Sequence, residues 1–318
     1  MMRTVILFLF LPVLTYGQSL STEVEKLFTQ KQFSKAESII TEHLEQNPQD
    51  IEAIELLGDS FGHQLDWDNA IINYKKLVKI DDNNANYHYK YGGALGMKAL
   101  SVSKLKALGL IGDIKHSFLR AAELDPEHID TRWALVELYI QLPGIVGGSK
   151  RKALKYADEL EHLSKVDGYL AKGYVYEYDK EPELAELNYK KAIEVGGSVT
   201  CFEKLTDFYV NENAPNKAVK NIEDSLSKHN RNALHYQIGK VCADYNIQLD
   251  KGEKCLKIFI ENHSARDGVP LEWAYFRLAQ ISKNRLDKAA ALEWINKALE
   301  LRADFKQAIK EKEKILKI

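Results

Sequence analysis

The chain has 318 residues, of which 45% are hydrophobic and 28% charged, with only 7 prolines and a net charge of −2 at neutral pH. That length exceeds what one ordinary core serves. No Gly/Ser linker or low-complexity tract divides it, so one continuous repeat architecture is expected rather than separate domains. A charge so near zero gives the chain as a whole no basis for holding nucleic acid or an anionic membrane.

The first seventeen residues read as a secretory signal peptide. Arg3 supplies a positive start, and Val5 to Leu14 is an unbroken apolar run of ten. A spanning helix needs about 20 such residues, so this run is too short. Thr15-Tyr16-Gly17 then places small residues at −3 and −1 of a cut before Gln18. The alternative is a buried N-terminal helix, but polar, helix-punctuating sequence follows at once. No cysteine follows the cut, which disfavours lipid-anchored export. The segment resembles bacterial signals, so an exported protein, periplasmic or extracellular, is expected. Loss of Arg3 with it takes the net charge from −2 to −3.

Beyond the signal, apolar periodicity predicts helix pairs at 21–29/33–46, 51–63/67–80, 85–108/112–124, 129–141/149–163, 167–178/182–195, 199–211/215–228, 232–246/249–262 and 271–283/287–301. A lysine-rich amphipathic segment, 304–318, follows as a cap. Small residues recur in register. The steps from Ala36 to Ala70 and from Ala185 to Ala218 are each about 34 residues, one repeat period. Gly58 precedes Ala70 by the same interval that separates Gly173 from Ala185. Glycine within a helix costs about 1 kcal/mol relative to alanine, so its recurrence implies a packing requirement. The expected partner across the turn is the alanine that follows at this interval.

These residues, with "AIELLGDSF…WDNAIINYKKLVKID" (53–81) and "AYFRLAQIS…AAALEWINKALELRAD" (274–304), resemble the tetratricopeptide repeat, a helical hairpin of about 34 residues. The resemblance covers about eight units over 21–303. It implies an all-α, right-handed α-solenoid of helix-turn-helix repeats, a single solenoid over 18–318 closed by the capping helix at 304–318. The first unit lacks a small residue at the glycine position, and the sixth has Thr206 there. Two units are longer than the rest, with insertions near 98–115 and 142–149 at the same turn of neighbouring units. In one stack they would lie side by side, either packing on each other or forming a lip on the binding surface.

Chemistry is sparse. The 9 histidines are scattered, with no zinc, calcium or Cys-x-x-Cys spacing. Gly144 to Lys150 resembles a phosphate-binding loop only faintly, because Ser149 stands where glycine must precede the lysine. Cys201, Cys242 and Cys255 are odd in number, which leaves at least one unbridged. Helical register places Cys242 opposite a position near Asp250 and so offset from Cys255. No catalytic residue, metal site or cofactor is expected, and the chain reads as a non-enzymatic binding scaffold.

The resemblance further implies that the first helix of each unit lines a concave groove. The residues placed there include Glu52, Glu55, Asp59, Tyr89, Trp133, Glu137, Tyr174, Glu177, Glu203, Asp207, Tyr236 and Trp273. The lysine/asparagine clamp by which some family members hold a peptide carboxylate is not visible, and Glu52, Glu55 and Asp59 would repel one. Acids alternating with aromatics suit a protein or peptide of basic or aromatic character, and not nucleic acid. The aromatics equally suit interhelix packing, and the acids a solvated face. A chaperone-like or assembly role for exported or outer-membrane proteins is the alternative to a dedicated scaffold.

Overall fold

A computed structural model describes residues 19–318. The expected signal peptide at 1–17 lies outside the described residues. Seventeen α-helices and two short 3-10 turns make up the regular structure of the described residues, with no strand. None of these helices is long and apolar enough to cross a membrane.

The described residues fall into two compact units that divide after Leu138. The first holds α1 (Leu20–Thr29) and α2 (Phe33–Gln46), α3 (Ile51–His63) and α4 (Trp67–Ile80), and α5 (Ala85–Ser101) and α6 (Lys104–Leu124). Most of α7 (Ile129–Gln141) also belongs to it. The second unit contains α8 (Lys150–Leu163), then the hairpins α9 (Lys165–Tyr178)/α10 (Pro182–Val195) and α11 (Val199–Asn211)/α12 (Pro215–His229). It continues with α13 (Asn232–Tyr245)/α14 (Leu249–Glu261), α15 (Leu271–Asn284)/α16 (Lys288–Leu301) and α17 (Lys306–Ile315). The predicted pairs match these helices to within a few residues, except the third.

Hairpin turns reuse one geometry. Lys31, Leu65, Lys180, Asn213 and Leu286 all adopt positive φ between 53° and 63°. The residue after each donates its N–H five positions back, as in Asp66 N–H to the Phe61 carbonyl and Asp287 N–H to the Ser282 carbonyl, each 2.9 Å. This is the left-handed helix stop that glycine usually supplies, built here from side-chain-bearing residues. It explains why the helix ends carry no glycine signature.

In four hairpins a glycine notch sets the approach of the two helices. A Cβ on Gly58 would lie 2.6 Å from the Tyr74 ring, and one on Gly173 would lie 2.6 Å from the Tyr189 ring. Gly92 faces Phe118, and Gly239 faces Leu256. The expectation that Gly58 and Gly173 oppose Ala70 and Ala185 is therefore corrected. They receive the large side chain one helical turn beyond those alanines. The alanines themselves are fully buried. The requirement at the glycine is room for a large side chain, a ring in three hairpins and Leu256 in the fourth.

The third hairpin departs from expectation. The break falls at Val102–Ser103, so α5 has 17 residues and α6 has 21. The extra residues at 98–115 prolong both helices instead of forming a loop. Ser103 takes the extended N-cap conformation that starts a helix (φ −62°, ψ 151°), while Gly109 and Gly112 stay helical inside α6. At 142–149, by contrast, Pro143 and a 3-10 turn at Gly144–Val146 make a true loop, with Ser149 capping α8.

Candidate interaction face

First helices touch one another directly within each unit: α1 packs on α3, and α13 on α15. Neighbouring first helices therefore lie side by side within each unit.

In the first unit Glu55 and Asp59 project from α3 beside Lys90 of α5. The Lys90 ammonium lies 2.6 Å from Glu55 Oε1 and 2.8 Å from Asp59 Oδ2. Asn86 donates to Glu55 at 2.9 Å, and the Tyr74 hydroxyl donates to Asp59 at 2.6 Å from behind. Burial works against the Lys90 charge, yet Asp59 and Glu55 outweigh it and hold the amine above its ordinary range. The three ionised groups carry one net negative charge, so the repulsion expected there toward a peptide carboxylate is reduced and not abolished. Glu52 is exposed. Tyr89 packs between Phe118 and His128, with ring centroids 6.2 and 5.0 Å away. Burial, then Asp130 and Glu137, raise its phenol. Trp133 is half-buried and Glu137 exposed on α7.

The second unit repeats the arrangement. Glu177 accepts from Asn211 at 2.9 Å and from the Tyr189 hydroxyl at 2.7 Å. Gln141 donates to the Tyr174 hydroxyl at 2.7 Å. Asp244 pairs with Arg277, which also donates to Gln280 at 2.8 Å. Tyr236 is buried against Phe259, and Trp273 packs on Phe276 and Phe305. Those two aromatics serve interhelix packing.

Asp207 is the exception among the acids. It is exposed to water, yet the protein around it is dense enough that desolvation raises its carboxyl above the ordinary range, against the pull of Lys204 and Lys240. Nearby, Glu203 lines a cleft of about 430 Å³ with Arg231, Gln237 and Arg266.

Sequence reasoning placed the acids but missed Lys90 and Arg277. A signal was present. Lys90 lies 31 residues after Asp59, and Arg277 lies 33 after Asp244, so each base stands about one repeat beyond its acid. Reading the stripe across repeats instead of within them would have found both.

No group of metal-binding side chains converges among the described residues. All three cysteines are free and buried. Cys242 faces Gly252, close to the expected position, and burial pushes its thiol up to about 11. A thiol so held is a poor nucleophile at neutral pH.

Residues 274–305, nearly all of α15 and α16, match the family model of the tetratricopeptide repeat. A tetratricopeptide repeat protein from Parabacteroides merdae superposes with a TM-score of 0.50 at 14% identity, over 93% of this chain and 97% of that one. The fold is that of a tetratricopeptide-repeat protein. Weaker likenesses include YrrB, a repeat protein with an unusual peptide-binding site, at TM-score 0.42, 18% identity and 62% and 97% coverage. Another is a thermophilic repeat protein of Thermus thermophilus, at TM-score 0.41, 14% identity and 76% and 98% coverage. No curated protein matches the chain. Tetratricopeptide repeats are typically scaffolds for protein–protein interaction and not enzymes.

Proposed function

We propose that this protein holds an extended segment of another protein on its first-helix faces, after export directed by residues 1–17. The observation that carries the reading is the division of labour among the acids. Glu55, Asp59, Glu177 and Asp244 are committed to ties between successive repeats, which fix the curvature of the face. Glu203 lines a cleft, and Asp207, one turn further along α11, stays exposed, as do Tyr178 and Lys240 on the same series of helices. Fixed curvature with a few open polar groups favours recognition of a basic or aromatic chain segment at low ordering cost.

A photo-crosslinking residue at Asp207 or Glu203 tests this in the native cell, with Lys220 on the second-helix side as the control. One dominant protein partner from the first two positions and none from Lys220 is the expected result. Equal capture from all three positions overturns the face assignment. Many weak clients would transfer the reading to a chaperone-like role. Sequencing the N-terminus of the native protein tests export separately, with Gln18 as the expected first residue and intact Met1 as the contrary result.

A further inference from the structure

The α5/α6 hairpin is longer than its neighbour. The neighbouring hairpin α3/α4 uses 13 and 14 residues, against 17 and 21 here. At 1.5 Å per residue the excess projects the tip by about 6 to 10 Å. Its surface is unusual for a projection. Met97, Leu100, Leu105 and Leu108 are all exposed, Leu100 at 75% and Leu105 at 81%.

Spacing organises these residues. Leu105, Leu108, Gly109 and Gly112 form one stripe on α6, and Gly93, Gly96, Met97 and Leu100 form one on α5. A Cβ added to any of the four glycines would meet nothing within 4 Å. The stripes thus face open space and not a neighbour.

Charge on the tip is equally one-sided. No aspartate or glutamate occurs between Asp82 and Asp113, in a chain with 46 acids. The same stretch holds Lys90, Lys98, Lys104 and Lys106. Lys90 and Lys98 are paired with acids of α3 and α4. Lys104 and Lys106 are exposed at the start of α6 and have no acidic partner among the described residues.

We propose that the α5/α6 tip docks on the surface of an anionic phospholipid bilayer. Leu100, Leu105 and Leu108 enter the headgroup boundary, and Lys104 and Lys106 meet the phosphates. Exposed leucines beside unpaired lysines are the composition of an interfacial helix, which enters a bilayer by about 5–10 Å. A second copy of this chain is disfavoured as occupant because two such tips repel. A folded protein partner would need a recess for its anchors, and this tip is convex, whereas a bilayer deforms around a projection. The near-neutral net charge does not oppose this, because attraction to a charged surface falls off within about 8 Å at physiological salt and is set by the local groups.

The test uses the full chain with Leu105→Cys carrying an environment-sensitive fluorophore, the three native thiols being buried. The probe is a vesicle of phosphatidylglycerol and phosphatidylcholine, compared with phosphatidylcholine alone. Lys76→Cys, labelled in the same way on exposed α4 surface, reports any adsorption driven by the N-terminal apolar run. The expected result is a blue shift at position 105 and not at position 76, on anionic vesicles only. Lys104→Glu with Lys106→Glu should weaken this response at least tenfold while leaving the helical circular dichroism unchanged. No shift at position 105, an equal shift on neutral vesicles, or a shift that appears without lipid as the chain self-associates each overturns the proposal.

Discussion

In α3/α4 the glycine notch takes a tyrosine ring, and the Tyr74 hydroxyl reaches through to Asp59 at 2.6 Å. In α13/α14 the notch takes Leu256, which offers no hydroxyl, and the acid of that repeat, Asp244, is held by Arg277 of the next first helix. The α9/α10 hairpin follows the first pattern, with Tyr189 reaching Glu177. Asp59 and Glu177 are thus fixed both from behind, within their own hairpin, and sideways, by the following repeat, whereas Asp244 is held sideways. What fills the notch decides whether the hairpin supplies its own tie.

Gly58→Ala attacks the notch itself. The new methyl would stand 2.6 Å from the Tyr74 ring and force the helices apart. A loss of about 2–3 kcal/mol is expected in urea unfolding. Thr206 stands at the equivalent place in α11, where the facing residue is polar Asn221, hydrogen-bonded to it at 2.9 Å. Thr206→Ala should therefore cost less than Gly58→Ala, and an equal cost would break the notch comparison.

Lys90→Met removes the sideways tie while leaving the tie from behind. Two half-buried carboxylates are then left beside each other, at a cost of about 1–2 kcal/mol. Lys90→Arg, which keeps the charge, should restore most of this loss. A penalty just as large in Lys90→Arg would assign Lys90 to packing alone.

The Glu186 carboxyl of α10 gives a pH-dependent contrast. Burial would raise it, but Lys190, Lys217 and Tyr209 outweigh burial and bring it down to about 2, from 4.5. A lowered carboxylate stabilises the fold fully above its unfolded value and loses that contribution as pH falls toward the folded one. Wild type should exceed Glu186→Gln by about 1 kcal/mol at pH 7, and the gap should close between pH 4.5 and 2. Chemical unfolding across that window reads it directly.

Asp207→Asn carries the smallest effect and the opposite sign. Desolvation disfavours the Asp207 charge, so its folded form holds a proton more readily than its unfolded form. Removing the charge should slightly raise the thermal midpoint at pH 7, with the difference vanishing below the carboxyl range. A fall in the midpoint would show that Asp207 has a stabilising tie after all. Stability gained by deleting a groove acid is what a residue kept for binding would show.

Helix boundaries were legible because each helix announces its buried face by spacing, and the left-handed turns sit where that spacing stops. The third hairpin was misplaced because Gly109 and Gly112 look like punctuation in a string of letters. In the fold they are tolerated on a solvent-facing stripe, and Ser103 starts the helix instead. The acids of the first helices were legible in the sequence, but their ion-pair partners were not, since Lys90 and Arg277 come from the next repeat.

The sequence by itself determined an all-helical hairpin repeat, its period and the small residues at its notches, because these depend on contacts a few helical turns apart. Only the tertiary structure decided that the notches hold rings or a leucine and not alanines. It also decided which acids are tied, and that the 98–115 insertion is a bare, basic, leucine-bearing projection. Those outcomes depend on which side chains meet across helices one repeat apart, and on which meet nothing.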